Sequence, residues 1–213
     1  MITFPRELPS YHVSECWFDI VDNVTSSPSG KGTKINLSQV NDPVWQGTFA
    51  TGLLYPGDLA IWSAWRKSLR AGLKTFLAYD VRRRTPIAYP TAKTPADIKA
   101  GWDGSAVITS LGLSGALGLS GLPANYQFKA GDRIGMTENA NYGYHEVVED
   151  ILGNGAGIAT VTVTPFLFTG IFSTAAVAQL WQPRCQFQID PTTWVESGTV
   201  EPAPVTFKGY QRL

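Results

Sequence analysis

The sequence predicts a mainly β fold, and three observations carry that prediction. Twelve per cent of the 213 residues are aromatic, with seven tryptophans, and large flat rings pack well on pleated surfaces. Twenty-one glycines and fourteen prolines supply many turns. Between those turns, short segments alternate apolar and polar residues, and only one stretch has helical spacing. At 44% apolar residues the chain can bury a core, and its length suits one domain with an insertion or two small domains.

Residues 11–23, YHVSECWFDIVDN, alternate weakly and read as a strand. SSPSGKG at 26–32 is rich in turn formers and reads as a loop; WQGTFATGLL at 45–54 reads as a second strand. PGDLAIWSAWRKSLRAG follows as the clear helix. Asp58 stands where an N-cap carboxylate would accept orphan amide protons of the first turn. Leu59, Trp62, Trp65 and Leu69, spaced by three, three and four, form one apolar stripe. Arg66, Lys67 and Arg70 suit the negative end of the helix dipole, and Gly72 offers a left-handed exit. Two tryptophans on so short a helix could make a sugar platform, but their shared stripe favours burial as the plug of a β-barrel.

LKTFLAYDVRRRTPIAYP continues as a strand, a basic cluster and a proline-bounded turn. Arg82, Arg83 and Arg84 lack interleaved aromatics, so they fit a solvated strand end or a subunit contact better than a phosphate site. TAKTPADIKAGWDG, about 91–104, has the composition of a linker. SAVITSLGLSGALGLSGLP reads as a strand and tight hairpin ending at Pro123. KAGDRIGM gives a turn and a strand, YGYHEVVEDILGNGAGIATVTVTPFL two strands around GNGAG, and AAVAQLWQP another. The last section, from RCQFQID to EPAPVTFKGYQRL, gives two more, with Gln186 and Gln188 alternating against Cys185, Phe187 and Ile189. The linker composition and the return of barrel-like strands after Pro183 suggest a discontinuous domain, 1–95 with 184–213, holding an inserted β-domain at 96–183.

Seventeen basic and seventeen acidic residues give zero net charge, which argues against a protein that binds nucleic acid by neutralising phosphates. Low self-repulsion permits association. MITFPRELPS lacks the apolar run of a signal peptide, and no stretch approaches the ~20 apolar residues of a membrane helix. Cys16 and Cys185 form no metal-like pair and read as reduced structural thiols.

HEVVE at 145–149 falls one histidine short of the H-E-x-x-H pattern of zinc hydrolases. That pattern needs a helix, whose residues four apart share a face and can grip one ion. In a strand, His145 and Glu149 lie about 13 Å apart, too far to share a metal. Val147, Val148 and the following GNGAG favour the strand, and His12 stands in another segment with no ligand pattern around it. There is no P-loop, dinucleotide fingerprint or nucleophile elbow. Asp103 in GWDG and Asp132 in AGDR sit where aspartate commonly shapes turns. The sequence thus names no catalytic, cofactor or metal residue.

The order of segments adds a resemblance. WQGTFATGLL, the helix–strand unit LAIWSAWRKSLRAGLKTFLAYD and the turn RRTPIAYP resemble the barrel domain of distal tail proteins, tail-tip components of long non-contractile-tailed bacteriophages. AGDRIGM, YGYHEVVED and GNGAGIATVTVTPFL resemble an inserted β-domain of phage tail proteins, before QPRCQFQID returns to the barrel. The likeness covers most of residues 45–212 and rests on segment order rather than an invariant motif; SAVITSLGLSGALGLSGLP has no counterpart in it. It implies a small β-barrel domain closed by one α-helix, with an inserted second β-barrel or β-sandwich domain. It implies a structural virion protein of the phage tail, assembled in the host cytoplasm, with no enzymatic activity and no cofactor. Such a protein forms a ring, as a hexamer, joining the tail tube protein to the tip hub and to fibre or receptor-binding proteins. Arg82, Arg83 and Arg84 are then the candidate subunit contact, and Leu59, Trp62, Trp65 and Leu69 the barrel-core helix.

Two other classes stay open. Trp45, Trp102, Trp181 and Trp194 could give a carbohydrate-binding module its aromatic platform, although core or interface burial suits most of them better. A glycan hydrolase could use a dispersed carboxylate pair that the sequence does not locate.

Overall fold

The computed structural model describes residues 2–9, 13–28, 35–167, 169–197 and 201–213. In chain order the strands are β1 (Arg6–Glu7), β2 (Val13–Val21), β3 (Val24–Pro28), β4 (Ile35–Gln39) and β5 (Val44–Thr51), followed by helix α1 (Pro56–Ser68) and β6 (Thr75–Ala78). The middle of the chain supplies β7 (Ser105–Leu111), β8 (Ala116–Ser120), β9 (Gln127–Phe128), β10 (Arg133–Glu138), β11 (Asn141–Val147), β12 (Ile151–Leu152), β13 (Ala159–Thr164) and β14 (Val177–Gln179). β15 (Cys185–Val195) and β16 (Thr206–Gln211) come last.

The fold is mainly β, with one α-helix and a closed six-stranded barrel, β10-β11-β13-β8-β7-β14. A six-stranded sheet runs β1-β6-β15-β16-β5-β2, so it draws on both ends of the chain while the barrel draws on its middle. The closed barrel is therefore not the one beneath the helix. The sheet under the helix keeps two ends, because β1 and β6 are too short to span the length of β2. Side chains join those ends instead. Cys16 Sγ donates to the Tyr79 carbonyl at 3.0 Å, and the Phe18 amide donates to Asp80 Oδ2 at 3.3 Å.

The N-cap of helix α1 lies three residues before Asp58, the position the sequence suggested. Tyr55 is the N-cap with no side-chain bond, Pro56 takes the first turn, and Asp58 lies inside that turn, where its charge still faces the positive end of the dipole. The exit is broader than Gly72 alone: Arg70, Ala71 and Gly72 all take left-handed φ, at 50°, 53° and 93°. Only glycine fits at 72, since a Cβ there would stand 2.7 Å from the Ile189 carbonyl oxygen. The apolar stripe faces the sheet, with Trp62, Trp65 and Leu69 buried and Leu59 half-buried against the same core. Trp62 meets Trp65 edge-on at 5.7 Å, and both rings reach Phe207.

Three other segments differ from their reading. Ser26 to Pro28, expected in a loop, complete β3, which pairs with β4; residues 29–34 lie outside the described residues. The strand holding HEVVE ends at Val147, two residues short of Glu149. The segment of linker composition is held in place: Asp97 Oδ2 accepts the amides of Lys93 and Thr94, and Trp102 is buried in the barrel core.

The Tyr126 hydroxyl is a buried polar group in the barrel core. Tyr126 is fully buried against the rings of Tyr89, Trp102 and Phe128, and its hydroxyl has no partner among the described residues. Removing such an orphan recovers a desolvation cost. Tyr126→Phe should therefore leave the unfolding free energy unchanged or raise it by about 1 kcal/mol in urea melts. A clear loss of stability would mean that the hydroxyl is bonded.

Candidate functional site

Strand β11 is buried on both sides, and this joins the two β assemblies. Its pairing with β10 puts His145 opposite Ile134 and Gly143 opposite Met136, facing the barrel interior. Tyr144, opposite Gly135, points the other way into the sheet core, where it meets Trp45 and Phe18 edge-on. The Trp45 indole donates to the Tyr144 carbonyl at 2.6 Å. Arg133 lies over the Trp45 ring at 4.5 Å and pairs with Glu146. An aromatic side chain, an indole bond and a stacked guanidinium thus fix the barrel on the sheet.

The HEVVE residues are divided between these surroundings. His145 is fully buried and its Nδ1 lies 3.0 Å from the Pro165 carbonyl, so that nitrogen carries the proton. Burial lowers its pKa to about 4. Glu149 lies outside on the exposed surface and accepts the Thr162 hydroxyl at 2.7 Å. Among the described residues, no three His, Cys, Asp or Glu side chains gather as metal ligands would.

The aspartates act on the backbone. Asp132 is buried and accepts the amides of Ile87, at 2.7 Å, and Lys129, at 2.8 Å, tying the 80–90 segment to the barrel. Burial raises its pKa, opposed by those two bonds and by Arg83. Asp103 accepts both the amide and the hydroxyl of Ser105, which lowers its pKa. Cys16 and Cys185 are buried free thiols in the sheet core; burial pushes both pKa values up, away from thiolate chemistry.

The arginine cluster does not act as one unit. Residues 81–83 form a short 3₁₀ turn capped by Asp80, which accepts the Arg82 amide at 2.9 Å. The Arg82 side chain folds back, 3.4 Å from Asp80 and 5.1 Å above the Trp17 ring. Arg83 and Arg84 are exposed beside it. The four tryptophans singled out above also separate. Trp45 and Trp102 are buried, and Trp194 is stacked between Phe207 and the Arg66 guanidinium. Trp181 stays half-exposed beside a groove.

The feature that the sequence reading missed is the ribbon of β3 and β4. Its pairing puts Val24, Ser26, Leu37, Ile35 and Gln39 on one face and Thr25, Ser27, Asn36 and Ser38 on the other. Ile35 is 71% exposed, Leu37 70% and Val24 47%, so the apolar face is uncovered. No charged residue lies in either strand. The alternation of INLSQ was the available signal, and the glycine- and serine-rich stretch before it hid the partner strand.

No helix among the described residues is long and apolar enough to cross a membrane. No protein-family model matches the chain, and no curated protein is detectably similar to it in sequence.

Proposed function

We propose that this chain is a structural component of a phage tail tip that works by assembling into a ring, with a second copy of itself as its first partner. The uncovered β3–β4 ribbon carries the reading. A two-stranded ribbon is marginal in water by itself, and one with a bare apolar face gains stability only when that face is covered. Its lack of charge suits an apolar contact between copies. A ribbon on one copy meeting a different surface on the next is a head-to-tail contact, which closes into a ring when the rotation allows. The segment order, which resembles that of distal tail proteins, supports a place for that ring between tail tube and tip, in the virion, with no catalytic role required.

Light scattering on the purified full chain, with electron microscopy of the particles, tests this. An oligomer is expected, with six-fold rings the anticipated form. Ile35→Asp with Leu37→Asp should leave the near-ultraviolet spectrum intact and yield monomers, because two carboxylates would be buried without partners. An apolar contact should also resist salt; strong weakening by salt would transfer the main role to Arg83 and Arg84. A strictly monomeric particle, at high concentration and when mixed with tail-tube protein, would overturn the proposal.

A further inference from the structure

A groove of about 350 Å³ lies beside the junction, lined by Thr137, Tyr142, Gln179, Trp181, Gln182 and Arg184. Its base is the outer face of the barrel. Tyr142 pairs with Thr137 across β11 and β10, and Gln179 pairs with Gly135 across β14 and β10, so these positions face outward together. Gly135 lets the chain at Pro183 and Arg184 pack closely over β10, since a Cβ there would stand 3.2 Å from Pro183 and 3.3 Å from the Arg184 amide. Trp181 is seated by Gly104, where a Cβ would come within 2.5 Å of the Trp181 Cβ. Gln182 is held at a left-handed φ of 46°, its amide donating to the Arg84 carbonyl at 2.8 Å. A non-glycine residue in that region is costly and persists only where its surroundings hold it.

Among the described residues, the Trp181 indole, the hydroxyls of Tyr142 and Thr137, and the Gln182 carboxamide make no hydrogen bond within the chain. Gln179 is anchored, donating to the Trp181 carbonyl at 3.3 Å. The one charged lining group, Arg184, is paired with Glu7 at 2.5 Å. We propose that this groove is a saccharide-binding subsite, which takes a neutral sugar against Trp181 and Tyr142.

The chemistry favours a sugar over other ligands. Aromatic faces accept the C–H face of a pyranose, and hydroxyl and carboxamide groups, which both donate and accept, match its hydroxyls. The volume lies at the small end of the roughly 300–1,000 Å³ range of ligand pockets, which often form where structural units meet. A peptide adding as a strand would need a free sheet edge, and a closed barrel has none. A larger hollow, about 600 Å³, surrounds Trp102, but that ring is only 8% exposed and offers no platform.

Saturation-transfer NMR on the full chain with cello-, chito-, malto- and galacto-tetraose, each at about 10 mM to reach weak binding, tests the proposal. At least one should receive saturation. Trp181→Ala should weaken it about tenfold, and Thr137→Val, which changes no packing, about threefold. Near-ultraviolet spectra of both variants check that the fold is kept. Silence with all four sugars, or binding that both variants leave unchanged, would overturn the subsite. This result does not depend on whether the chain forms rings.

Discussion

Trp62→Ala should cost about 3–5 kcal/mol of stability, the usual range for truncating a large aromatic in a packed core. Trp62 is 1% exposed, and its ring lies between Trp65 and Phe207 on the helix–sheet contact. Alanine would leave a void that neither neighbour can fill. Trp65 is fixed by its indole bond to the Glu7 carbonyl at 3.0 Å, and Phe207 by its stack on Phe49. Edge-on aromatic pairs add about 0.5–1.5 kcal/mol beyond burial, so the loss should fall in the upper half of that range. Domains of this kind have about 5–15 kcal/mol in total, and the variant would sit near its unfolding threshold. Urea melts should show a lower midpoint at unchanged slope. Leu113→Ala, at a side chain 85% exposed, is the control and should stay within about 0.5 kcal/mol. A Trp62→Ala melt that matched the control would put the ring at the surface and revive the sugar-platform reading of the helix.

The helix stripe was legible because its spacing is a local property: four apolar residues on one face must bury together, whatever they meet. Strand existence was legible for the same reason in Cys185–Val195 and Ala159–Thr164, where alternation is clean. Closure was not legible. Whether a sheet closes depends on how far its outer strands extend, and β1 and β6, at two and four residues, cannot pair along β2. Asp80 shows what compensates for it, since its carboxylate takes the Phe18 amide proton that a neighbouring strand would have taken. Nothing in the text YDVRR distinguishes that role from an ordinary turn aspartate.

The candidate surfaces were less legible than the fold. Val24, Ile35 and Leu37 alternate as core residues do, and only their exposure sets them apart from a core face. The groove draws Thr137, Tyr142 and Trp181 from three separate stretches, which the pairing of β10 with β11 and β14 brings together. Composition weighed all the tryptophans alike, and burial separates them. Trp45 was a candidate platform in the sequence and is part of the clamp between barrel and sheet in the structure.

His145 should make the protein sensitive to mild acid. Its imidazole is fully buried, its Nδ1–H is committed to the Pro165 carbonyl, and burial lowers its pKa from 6.5 to about 4. The folded pKa lies below the unfolded one, so between those values the unfolded chain binds the extra proton. The neutral ring's contribution is thus fully present above pH 6.5 and is lost as pH falls toward 4. The loss should reach about 2 kcal/mol by pH 5 and about 3 kcal/mol across the window. Asp132 works in the opposite sense. Its raised pKa makes the native state the better proton binder as pH falls toward the carboxylate range, so it offsets part of the loss at the acidic end. Exposed Asp97, Asp103, Asp150 and Asp190 have lowered pKa values, so their effects fall below the window. His145→Gln isolates the imidazole, because it keeps a donor near Pro165 and removes the titration. Unfolding free energies from urea melts between pH 7 and 4.5 should fall steadily for the native chain and stay flatter for the variant. Parallel curves for the two proteins would mean that the imidazole reaches water, and that the strand around it is not sealed between barrel and sheet.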